Sequence, residues 1–171
     1  SLAFYSCNLL TTIQIPDSVT FIGDEAFLSC GGLQTINLPN LLTAINYHVF
    51  AGCGNLTSLI IPNSVTSIGS NAFVNCASLT YVIIPNSVTT IASSAFGGCT
   101  GLTSIVIPNS VTTIEHGAFI GCTVLTSVNL PDSITTIEND LFWGCTGLIS
   151  VTIPNTVTSI GSHAFVSCSS L

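Results

Sequence analysis

The sequence predicts a β-rich solenoid of about seven and a half coils, and three columns of residues carry that prediction. Eight cysteines, Cys7, Cys30, Cys53, Cys76, Cys99, Cys122, Cys145 and Cys168, each follow the last by 23 residues. Phenylalanine keeps the same step from Phe4 through Phe96 to Phe165, and so do all seven prolines from Pro16 through Pro85 to Pro154. A fixed period of this length, without insertion or deletion, marks a repeat architecture in which each unit buries its apolar edge only against its neighbours. Aligned on cysteine, the complete units are 11–33, 34–56, 57–79, 80–102, 103–125, 126–148 and 149–171, preceded by the end of another. They make one domain with no linker.

The unit Thr80 to Leu102 shows why each part forms. Val82 and Ile84 are two apart, so in an extended segment they share one face while Tyr81 and Ile83 share the other, which predicts a short strand. Pro85 removes a ladder donor and Asn86 favours a turn, so the strand ends in a corner. Val88 and Ile91 then face inward in a second short extended piece, with Thr89 outside. From Ser93 to Cys99 no residue is β-branched, and Ala95, Phe96 and Cys99 have the spacing of a single helical or 3₁₀ turn. Stacked at the ~4.8 Å spacing of paired strands, such coils predict a core roughly 35–40 Å long.

The columns resemble the BspA-like class of leucine-rich repeats, which combine a strand ending in proline, a Val-Thr segment and an Ala-Phe pair followed by cysteine. Here the match lies in runs such as Leu102-Thr103-Ser104-Ile105-Val106-Ile107-Pro108, Ser110-Val111-Thr112 and Ala118-Phe119-Ile120-Gly121-Cys122. The resemblance covers the whole chain. It implies a right-handed coil and membership of a diverse set of surface and secreted proteins, several of them adhesins, with no common catalytic residues. Units 34–56 and 126–148 depart most, with Leu41, Asn46, Val49 and Leu141 in place of the usual residues.

Composition removes whole classes of partner. With no Lys, no Arg and seven acids, the chain cannot neutralise phosphates by counterion release, which excludes nucleic acid and disfavours anionic lipid surfaces. Mean hydropathy is high, at +0.77, yet a proline in every unit and frequent polar residues interrupt each apolar run before the ~20 residues of a spanning helix, so no membrane span is predicted.

Cysteines one coil apart lack the short paired spacing of a zinc site. Two readings of the column remain, a ladder of buried thiols acting as small hydrophobes or bridges between neighbouring coils.

On the outer side of the first strand, three successive coils turn an aliphatic residue outward. Ile60, Ile83 and Val106, beside Tyr81, form a contiguous apolar patch between polar neighbours and are the candidate protein-binding site. A second array, Thr20, Thr43, Thr66, Thr89, Thr112, Thr135 and Thr158, usually with Ser two residues earlier, suits exposed strands and also resembles the hydroxyl rows of ice-binding solenoids. Asn55-Leu56-Thr57 is a glycosylation sequon on a predicted corner. Glu115 and Glu138 share a column in adjacent coils, with His116, Asp140 and His163 nearby. Such a cluster, with no Lys or Arg to offset it, is a candidate cation site, plausibly for calcium; solvent screening of the carboxylates is the alternative.

No motif brings nucleophile, base and oxyanion donors together, and a regular rod offers no evident pocket, so no enzyme and no cofactor are expected. The leading expectation is an extracellular or cell-surface recognition and adhesion module for protein partners. The competing one is a filament or surface-layer component built by end-to-end stacking. Both ends carry the Ala-Phe-x-x-Cys part of a unit, Ala3-Phe4 and Ala164-Phe165, which predicts further coils in a longer array or self-association.

Overall fold

The fold was obtained as a computed structural model, and it describes residues 2–171. The chain winds as a parallel β-solenoid. In chain order the first strands are β1 (Thr12–Gln14), β2 (Thr35–Asn37), β3 (Ala44–Ile45), β4 (Ser58–Ile60), β5 (Ser67–Ile68), β6 (Tyr81–Ile83) and β7 (Thr90–Ile91). They continue as β8 (Ser104–Val106), β9 (Thr113–Ile114), β10 (Ser127–Asn129), β11 (Thr136–Ile137), β12 (Ser150–Thr152) and β13 (Ser159–Ile160). Three-residue strands form one face and two-residue strands a second. Pairing is parallel with a shift of one unit, as in Ile60 opposite Ile83 and Ile68 opposite Ile91.

Between the two faces the proline corner closes as a turn, the Val88 amide donating to the Pro85 carbonyl at 3.1 Å and the Val111 amide to Pro108 at 3.0 Å. Alternation in the strand then decides what is buried: Val82 is 3% exposed while Tyr81 and Ile83 face solvent. The inward columns join into one core from Ile22 to Cys168. At its centre the phenylalanine rings stack in an unbroken file from Phe4 to Phe165, with centroids 4.9 to 5.6 Å apart and planes within 15° of parallel.

Two expectations need correction. The stretch from Ser93 to Cys99 and its equivalents is not helical or 3₁₀; among the described residues no helix occurs. Its amides alternate instead. Those of Ala95, Gly97 and Cys99 bond three residues back within the coil, at 2.9 to 3.2 Å. Those of Ser94, Phe96 and Gly98 donate to His116, Ala118 and Ile120 of the next coil, at 2.7 to 3.1 Å. A helical turn directs all its amides along its own axis and would leave none to tie coils together. Turning alternate peptides along the rod requires left-handed residues, and two per coil adopt that conformation, such as Ser94 at φ 52° and Gly98 at φ 67°.

The coil count is also lower, about six turns from β1 to β12 rather than seven and a half. The ends contribute only parts of coils, and no second-face strand forms in unit 11–33. There the Asn46 side-chain amide donates to the Ile22 carbonyl at 2.7 Å, where elsewhere a backbone amide does so, as Gly69 does to Ile45.

Candidate binding surface

The outward side of the three-residue strands holds the predicted patch. Ile60 is 68% exposed, Val106 79%, Tyr81 52% and Ile83 40%, so these large apolar side chains stand in water rather than in the core. Strand pairing sets Ile60 directly opposite Ile83 and Ser58 opposite Tyr81, and the 23-residue step brings Val106 onto the next strand. The column turns polar on both sides. Asn37 donates its side-chain amide to Gln14 at 3.3 Å on one side, and Asn129 and Thr152 pair on the other.

Beside Ile60 lies a groove of about 750 Å³, lined in part by Gln14, Asp17, Asn37, Asn40 and Ser58. Asp17 is held there by the Asn40 amide at 3.4 Å and its Nδ2 at 3.3 Å. Sequence reasoning missed this concavity. Its sign was a change of outward residue, from amides at 14 and 37 to isoleucine at 60.

All seven ladder threonines are exposed. Four of their hydroxyls, those of Thr66, Thr89, Thr112 and Thr158, donate along the stack. Thr66 Oγ1 reaches the Thr43 carbonyl at 3.3 Å and Thr89 Oγ1 the Thr66 carbonyl at 3.3 Å, each beside the backbone amide of the same residue. Four of the serines two residues earlier, Ser64, Ser87, Ser110 and Ser133, are half-buried and donate likewise, Ser87 Oγ to the Val65 carbonyl at 2.6 Å. Hydroxyl pairs turned onto the backbone in this way hold coils together.

The structure does not gather the five expected cation ligands around one point. Glu115 Oε2 accepts from the Ser93 amide at 2.9 Å and Ser93 Oγ at 2.8 Å in the preceding coil, which occupies the carboxylate expected to face Glu138. Glu138 is half-buried. Asp140 stands between His116, 3.9 Å away, and His163, 3.6 Å away. Among the described residues no group of three His, Cys, Asp or Glu side chains is placed to hold one metal ion. Asn55 of the sequon is exposed in a turn.

All eight cysteines are free thiols. Each sulfur from Cys53 to Cys168 lies 3.1 to 3.2 Å from a phenylalanine carbonyl of the preceding coil, as Cys99 Sγ does from Phe73. The thiol is therefore a compact apolar side chain that also donates along the rod. Burial disfavours the thiolate, pushing Cys53 and Cys145 up to about 12 and Cys76, Cys99 and Cys122 well above the ordinary value. These sulfurs are poor nucleophiles and poor metal ligands.

The family profile described as BspA type leucine rich repeat region (6 copies) matches residues 1–102 and 89–171. The chain belongs to the BspA-type leucine-rich repeat family. Among solved structures this BspA-type chain is similar to the leucine-rich repeat protein of T. pallidum, at 32% identity and a TM-score of 0.89, over 94% of this chain and 78% of that one. It is similar to a leucine-rich repeat protein from Eubacterium ventriosum at 32% identity and a TM-score of 0.83, over 94% of this chain and 43% of that one. The pneumococcal vaccine antigen PcpA, at 16% identity and a TM-score of 0.57 over 90% of this chain and 59% of its own, shares the fold alone. No curated protein sequence matches the chain. Among the described residues no helix is long and apolar enough to cross a membrane.

Proposed function

We propose that this BspA-type segment is a non-enzymatic recognition and adhesion module, at the cell surface or outside the cell, that presents its rigid β face to a protein partner. The observation that carries the reading is the exposure of Ile60, Tyr81, Ile83 and Val106 on successive strands, with Ile60 and Ile83 paired in register and Val106 one coil further. Single exposed aliphatics are ordinary, but three on successive coils beside an exposed tyrosine favour an interaction patch. The missing basic side chains direct the module to proteins rather than nucleic acid or anionic membranes. Placement at the surface follows the family, whose members include many surface and secreted proteins.

The test is binding of the purified chain to immobilised extracellular-matrix glycoproteins and to intact epithelial cells. Ile83→Asp should weaken binding about tenfold or more with the circular dichroism spectrum unchanged, since Ile83 lies on the outer face. Equal binding by the variant, or no binding by the parent chain to any of these surfaces, would overturn the assignment.

A further inference from the structure

The wall built from left-handed turns carries a second apolar strip, away from the β face. Trp143, the single tryptophan of the chain, is 46% exposed. It lies between Ile120 in the preceding coil and Val166, 42% exposed, in the next. Backbone bonds fix this register, the Gly121 amide donating to the Trp143 carbonyl at 2.7 Å and the Gly144 amide to Val166 at 2.8 Å. Packing does not require an indole here, because the same column accepts Ala51 and Gly97. Next to the strip, Gly121 and Gly144 raise no side chain beside the ring, so its surroundings stay low and open.

The electrostatics around this ring have one sign. Asp140 begins the turn that ends at Trp143, its carbonyl accepting the Trp143 amide at 3.0 Å, and its side chain is one-third exposed. Glu138 stands two residues earlier in the chain. Among the described residues the only groups within reach of the Asp140 carboxylate that can carry positive charge are His116 and His163, and the chain has no Lys or Arg. A half-exposed aromatic ring three residues from a carboxylate, in a chain of formal charge −7, attracts cations through the ring quadrupole and through the field.

We propose that Trp143, flanked by Ile120 and Val166 and bordered by Asp140, is a docking strip for an arginine- or lysine-bearing segment of a partner polypeptide. The cationic group lies over the indole with Asp140 as its counter-charge, while its aliphatic stem covers Ile120 or Val166. This site is independent of the β face.

The test titrates the full chain at pH 8 and low salt with a capped Gly-Arg-Gly-Arg-Gly-Arg-Gly peptide. A saturable change in tryptophan emission is expected, all of it from Trp143. By calorimetry, Trp143→Ala and Asp140→Asn should each bind the peptide about threefold to tenfold more weakly. Ile83→Asp should bind it as the parent does, which separates this strip from the β face. Trp143→Ala folds if its circular dichroism matches the parent, as Ala51 in the same column suggests. Four outcomes would overturn the proposal: no saturable emission change, unchanged affinity of Trp143→Ala, equal binding of a glutamine-for-arginine peptide, or binding of maltoheptaose but not of the arginine peptide.

Discussion

Raising the pH from 8 to 10.5 should dissolve this fold, and the cysteine column sets the size of the effect. Cys53, Cys76, Cys99, Cys122 and Cys145 are fully buried, and burial holds each thiol above its ordinary value of 9.0, to about 12 for Cys53 and Cys145. Above pH 9 the unfolded chain has released these protons and the folded chain has not. The unfolded state then binds fewer protons, so stability falls as pH rises, by up to ~1.4 kcal/mol per unit for each thiol. Across this range each thiol removes about 2 kcal/mol and the five together about 10 kcal/mol, comparable with the whole stability of an ordinary domain. No lysine is present to obscure the effect, and all three tyrosines are exposed. Urea unfolding followed by circular dichroism, with a phosphine reductant at half-unit steps of pH, measures the slope. Cys99→Ser keeps a donor toward the Phe73 carbonyl and should remove between about one-seventh and one-fifth of the slope, because burial raises Cys30 and Cys168 as well as these five. Stability that stays flat to pH 10.5, or an unchanged slope in Cys99→Ser, would refute the argument that reduced thiols form the buried rungs.

Two further perturbations read the core and the turn wall. Phe96→Ala removes a ring stacked between Phe73 at 5.2 Å and Phe119 at 5.6 Å, and should cost about 3–5 kcal/mol in chemical denaturation. Gly121→Ala places a Cβ no closer than 3.8 Å to its neighbours, so it bears only the left-handed strain at φ 70°, about 1–2 kcal/mol. Gly101→Ala would set a Cβ 2.6 Å from the Ala77 backbone carbonyl and should lower the melting temperature further than Gly121→Ala does; the reverse order would contradict the packing described for these coils.

The columns of Cys, Phe, Pro and Ile told which side chains face inward, because burial follows side-chain position along the coil. They therefore place Val82 inside and Ile60, Ile83 and Val106 outside, as the fold has them. The turn wall was misread because the period of apolar residues says nothing about how each peptide plane is rotated. A trace of the left-handed position did exist, in Gly52, Asn75, Gly98, Gly121 and Gly144, five residues that tolerate that conformation in a column completed by Ser6, Ser29 and Ser167. Its companion column, Glu25, His48, Asn71, Ser94, Gly117, Asp140 and His163, carries no such compositional mark. The acidic pair is drawn apart for a different reason. Sharing a column fixes where Glu115 and Glu138 leave the backbone but not where their carboxylates go, and Ser93 offers Glu115 two donors in the preceding coil.

The hydrogen bonds between coils join residues 22 to 26 apart, so each coil is fastened only to its immediate neighbours. Under a pulling force this chain has no keystone whose failure releases the whole. Tension applied along the chain peels coils one after another, each freeing 23 residues, or roughly 75–80 Å of contour. A tether of this construction lengthens in steps while the coils still wound keep their shape, and it rewinds by the same local pairing when the load is removed.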